Sequence, residues 1–90
     1  MTKKREIIKK LTIMNMQEFV VNFANQFDET ELEVFNAETR FRDLEEWSSL
    51  TGLAVLNMIA KKYEVKITPA ELKSVETVEA LYNLVASKKE

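Results

Sequence analysis

Ser48 and Ser49 stand side by side ahead of Leu50, where a long polar stretch gives way to the most apolar helical segment of the chain. Two hydroxyls there raise the question of nucleophilic chemistry, yet the 90 residues contain no His and no Cys. The commonest general base, the commonest metal ligand and the thiolate nucleophile are therefore all missing. Glu45 and Glu46, just before the serines, are the remaining candidates for an acid–base pair. Adjacent carboxylates at a helix edge are ordinarily a solvated face, and no nucleophile with a nearby base can be named beside them. Scattered carboxylates do not make a metal site either. A serine at such a junction can still cap the helix, or accept a reactive group added after translation. An enzyme is the least favoured class.

Composition and charge narrow the partners. A hydrophobic fraction of 46% in one 90-residue chain fits one folded domain with a modest core. One Gly and one Pro leave little for hairpins or glycine-rich phosphate loops, which points to helices. Residues 1–14 carry Lys3, Lys4, Arg5, Lys9 and Lys10 against Glu6, so 5 − 1 gives +4, and the remaining 8 basic and 14 acidic residues give −6. We read 1–14 as a basic N-terminal extension, with Ile7, Ile8 and Leu11 on one stripe, and 15–90 as the domain; the extension is expected to be a frayed, solvated lead-in, the alternative being a surface helix that touches anionic lipid or a partner. An acidic domain suits basic protein partners and not nucleic acid. No apolar run is long enough to span a bilayer, and Lys9 and Lys10 break up any secretory pattern. The expectation is a cytoplasmic monomer without stable membrane insertion.

The elements that must position the serines follow from periodicity. Met16, Phe19, Val20, Phe23, Ala24 and Phe27 keep helical spacing and predict a first helix from Met16 to about Phe27. Residues 28–48 lack a period but hold Leu32, Val34, Phe35, Phe41, Leu44 and Trp47, which predicts a loop pinned over the core with a short helical turn. A second helix is predicted over Ser49 to Tyr63, apolar on more than one side, with Lys61 and Lys62 suiting its C-terminal dipole. Thr68-Pro69-Ala70-Glu71 is a capping box opening a helix of barely two turns. Thr77 can cap a last helix striped by Val78, Leu81, Leu84 and Val85, with Tyr82 alongside and Ser87 to Glu90 frayed.

From about Met16 to Ala86 this order resembles the acyl carrier protein family, all-α four-helix bundles with a long first loop and a short third helix. Phe41 and Leu44 match the family's loop anchor, Ser49-Leu50 matches its serine–leucine pair at the start of the second helix, and Tyr63 stands at the aromatic that closes that helix. The resemblance implies 4'-phosphopantetheine attached covalently to Ser49 by a phosphopantetheinyl transferase. A phosphodiester at a helix N-terminus meets free N–H groups and the positive end of the dipole. Were Ser48 the attachment point, the leucine match would be lost.

Two departures stand out. Ser48 occupies the place of the family's aspartate, and Thr51, Ala54, Ala60 and Lys61 replace the acidic side of the second helix. Asp43, Glu45 and Glu46, with Leu50 and Leu53, are then the expected partner-binding residues. The resemblance further implies Leu50, Val55, Ile59, Leu72, Val75 and Leu81 around a space that packs the core and shelters an acyl chain. The leading expectation is a carrier of acyl intermediates, held as thioesters and passed among acyl-loading and acyl-processing enzymes. Its dedicated partners would serve fatty-acid biosynthesis, polyketide or other lipid metabolism, or a surface-glycan pathway. The alternatives are an aminoacyl or peptidyl carrier, and an unmodified helical adaptor that binds proteins through its second helix.

Overall fold

A computed structural model describes residues 15–89. The basic extension over 1–14 and the terminal Glu90 lie outside the described residues. The described residues form four helices: α1 (Met16–Ala24), α2 (Ser49–Tyr63), α3 (Pro69–Lys73) and α4 (Val78–Lys89). Two 3-10 turns, Leu32–Val34 and Phe41–Asp43, punctuate the long first loop. α1 packs against α2 and α4, and α3 lies on α2, the small helical bundle that the spacing implies.

Local chemistry sets each boundary. Asn15 caps α1, its Oδ1 accepting the Glu18 N–H at 3.0 Å. That helix ends at Ala24, earlier than the apolar stripe predicts. The Phe27 N–H turns back to the Ala24 carbonyl at 3.0 Å, and this tighter turn still delivers the buried Phe27 ring to the core. α2 has the predicted bounds and ends in Glu64, whose left-handed backbone (φ 56°) returns its N–H to the Ala60 carbonyl. Both arms of the α3 capping box are made: Glu71 N–H to Thr68 Oγ1 at 3.1 Å, and Thr68 N–H to Glu71 Oε1 at 2.9 Å. Thr77 caps α4 by accepting the Ala80 N–H at 3.1 Å.

The expected fraying of Ser87–Lys89 does not occur. Lys88 Nζ reaches Glu71 Oε2 at 2.7 Å and Lys89 Nζ donates to the Tyr63 carbonyl at 2.8 Å, so the last turn is tied to α3 and to the end of α2. Those lysines lie far from their partners in sequence, and helix propensity does not register such ties.

Aromatic rings bind the period-less loop to the bundle. Phe23 on α1 meets Phe27, Phe35 and Phe41 with ring centroids 5.5, 6.0 and 5.5 Å apart, and Phe41 meets Trp47 at 4.9 Å. Phe35 and Phe41 are buried, and Leu44 and Trp47 are partly so. Leu32 and Val34 are not the anchors that composition suggests. They sit on the outward side of the first 3-10 turn, 54% and 45% exposed. The loop is also stitched to α4, through Val78 N–H to the Thr39 carbonyl (3.1 Å) and Glu79 N–H to the Ala37 carbonyl (2.9 Å). Burial of a large apolar side chain stabilises by roughly 1.5–3 kcal/mol, so Phe35 and Phe41 are major contributors to holding a loop whose own regular structure is two short 3-10 turns.

Candidate functional site

The junction before α2 is built from the aromatic floor upward. Trp47 rests on Phe41 and stacks toward Phe27 at 6.3 Å, which fixes where the chain turns into the helix. The next residue, Ser48, is extended (φ −157°, ψ 177°), and its Oγ accepts the Thr51 N–H at 3.3 Å. Thr51 Oγ1 donates to the Glu46 carbonyl at 2.9 Å, tying the first helical turn to the chain before it. Ser48 is therefore the cap, and the cap reading of Ser49 does not hold. Ser49 is the first helical residue; it is exposed, and its hydroxyl makes no hydrogen bond among the described residues.

The six residues expected at the site are distributed unequally around this point. Leu50 and Leu53, 70% and 61% exposed, stand on the outer side of α2. Leu50 therefore contributes nothing to the core in which the acyl-sheltering expectation placed it, whereas Val55, Ile59, Leu72 and Leu81 are buried and Val75 is partly so. Asp43 and Glu45 are exposed, with Asp43 3.7 Å from the Arg40 guanidinium.

Glu46 turns the other way. Its Oε2 accepts the Asp28 N–H at 2.7 Å, and its Oε1 accepts the Thr30 N–H at 2.9 Å and the Thr30 hydroxyl at 2.7 Å. Both oxygens also receive the Glu29 N–H at 3.1 Å. The Thr30 hydroxyl foremost, helped by the three backbone N–H groups, holds its carboxyl below the usual carboxylate range. Glu46 clamps the start of the loop to its end across 16–18 residues, a separation that no local sequence signal reveals.

A groove of about 560 Å³ opens beside Ser48 and Ser49, between α2 and α3. Trp47, Gly52, Leu56 and Leu72 give it an apolar floor, and Arg42 and Lys73 lie at its edge. Arg42 is held there by donating from Nη1 to the Leu72 carbonyl at 3.3 Å and by lying over the Phe41 ring. Sequence reasoning missed Arg42 and Lys73: α3 carries Lys73 to the groove, and the Leu72 carbonyl holds Arg42 there. A Cβ at Gly52 would come 3.5 Å from Trp47 and 3.6 Å from Leu72, so the absent side chain keeps the groove floor low.

The chain matches the family model for the phosphopantetheine attachment site over residues 18–85. It belongs to that family. No curated protein and no solved structure matches the chain. The phosphopantetheine attachment family carries 4'-phosphopantetheine as a covalent prosthetic group, and its domains carry cargo for partner enzymes without catalysing reactions themselves. The junction fits such a group: a free, exposed hydroxyl at the first position of a 15-residue helix, next to an open groove with two cations at its rim. Among the described residues no helix is long and apolar enough to cross a membrane, and no cluster of metal-ligating side chains is present.

Proposed function

We propose that Ser49 is the attachment residue of this phosphopantetheine carrier and that the chain carries acyl intermediates. The observation behind this reading is the division of labour between the two serines: Ser48 spends its oxygen on the Thr51 N–H, while the Ser49 hydroxyl stays free and exposed. The group supplies a thiol on which cargo travels as a thioester. The chain's own residues do the rest. The N-terminal N–H groups of α2 offer donors and dipole charge to the phosphate. Trp47 and the Phe41 turn hold the helix start rigid, so the group leaves from a fixed corner.

The acyl reading, in preference to an aminoacyl or peptidyl one, draws on the apolar groove floor beside Ser49. Partner enzymes, the transferase first among them, would dock on Leu50 and Leu53 and be drawn by Asp43 and Glu45. Glu46, committed to the loop, adds charge only from behind. Ser48 in place of the family's aspartate and an α2 side without carboxylates fit dedicated partners in a specialised fatty-acid or other lipid-type pathway, in the cytoplasm.

The adaptor reading has two observations in its favour, Ser48 in place of the family's aspartate and the exposure of Leu50 and Leu53. Intact mass after incubation with a broad-specificity phosphopantetheinyl transferase, magnesium and coenzyme A separates the two readings. The carrier gains one phosphopantetheine. Unchanged mass, with a control carrier modified in the same tube, overturns the carrier reading and leaves the adaptor.

A further inference from the structure

A second apolar surface shares no lining residue with the groove at Ser49. The outer face of α1 and the first 3-10 turn enclose a groove of about 650 Å³, lined by Met16, Val20, Val21, Leu32, Phe35 and Ala37. Val21 is 39% exposed and Leu32 54%, with Val34 beside them at 45%. None of these residues lines the groove at Ser49. Large exposed aliphatic side chains gathered in one place mark a surface that something covers.

We propose that residues 1–14 of the same chain cover it, as an intramolecular clasp. Three observations converge on that occupant. The first is continuity: Asn15 and Met16 themselves line the groove, so the segment proposed to fill it is joined to the chain at the groove itself. Fourteen residues reach roughly 20 Å as a helix and more than twice that extended.

The second is the apolar stripe of Ile7, Ile8 and Leu11, which suits an aliphatic groove. The third is charge. Between residues 28 and 38 the chain carries Asp28, Glu29, Glu31, Glu33 and Glu38 with no Lys or Arg, opposite in sign to the net +4 of residues 1–14. All five carboxylate residues are exposed. Opposite charges of this size favour the docked arrangement and fix its direction. Docking would also neutralise the acidic loop, leaving Asp43 and Glu45, which shortly precede Ser49 in the chain, as the exposed carboxylates offered to basic partners.

The chain has no cysteine, so a single nitroxide label can be placed cleanly. In the full chain, a label on Val34→Cys should erase the amide signals of residues 3–11, while the same label on Leu53→Cys should spare them. Raising the salt concentration, or Lys9→Gln with Lys10→Gln, should restore the signals lost to the Val34→Cys label. Equal effects of the two labels would overturn the clasp. So would broadening that appears only between labelled and unlabelled chains in a mixture, because a second copy would then be the occupant. Both substituted positions are exposed, so loss of fold is not expected to confuse the result.

Discussion

Replacing either serine by alanine removes one hydroxyl from the same helix end, but the two losses differ in kind. Ser48→Ala takes the acceptor from the Thr51 N–H and should cost about 1 kcal/mol, lowering the melting temperature by about 4–8 °C in a domain of this size. Ser49→Ala removes a hydroxyl with no partner and should leave stability within about 0.5 kcal/mol. Thermal denaturation of the two variants checks this. Glu46 gives a pH signature. Its carboxyl is held below the usual range, as is that of Glu71, where hydrogen bonding to Lys88 is the main cause. A group depressed in the folded state stabilises fully above its unfolded value, near 4.5, and that stabilisation is lost as pH falls through the depressed one. Stability should therefore fall on acidification below about pH 4.5, and Glu46→Gln should flatten that acid limb in melts run across pH. A melt of Glu46→Gln with the same acid dependence as the parent would contradict the clamp role. The Ser49-Leu50 pair was legible because its residue types and place before an apolar helix are local. The clamp by Glu46 was not, since its partners lie at Asp28, Glu29 and Thr30.

At the scale of elements, Gly52 gives the sharpest test of the groove. It is buried within α2, where glycine costs up to about 1 kcal/mol relative to alanine, and an added Cβ would meet Trp47 and Leu72 at ordinary contact distance. Gly52→Ala should raise stability by up to about 1 kcal/mol while narrowing the groove beside Ser49. If the groove receives cargo, the thermal stabilisation seen on acylating the holo-protein should shrink in this variant. The helices themselves were readable wherever a boundary had its own chemistry: Ser48 before α2, Thr68 and Glu71 at α3, Thr77 at α4. Boundaries set by distant contacts escaped. α4 runs on to Lys89 because Glu71 and the Tyr63 carbonyl hold its lysines.

For the whole molecule, one aromatic cluster joins α1, the loop and the α2 start, and Phe41 is its hinge. Phe41 is fully buried between Phe23 and Trp47. Phe41→Ala should cost about 3–5 kcal/mol, a large share of what a domain this small has to lose, and should shift Trp47 fluorescence to the red as the indole meets water. An unshifted spectrum would mean that the site is held by something other than this cluster. The sequence shows which rings are available but not which loop residues face inward. Phe35 and Phe41 do, whereas Leu32 and Val34, from the same period-less stretch, point to solvent. Only the docking of the loop on α1 and α4 decides between them.

We propose that Ser49, and not its neighbour, carries the prosthetic group. The most direct measurement is intact mass with fragment mapping after transferase treatment, on the parent chain, Ser48→Ala and Ser49→Ala in parallel. One added phosphopantetheine is expected on the parent and on Ser48→Ala, mapped to Ser49, and none on Ser49→Ala. Modification that survives in Ser49→Ala, or is lost only in Ser48→Ala, would contradict the assignment to Ser49.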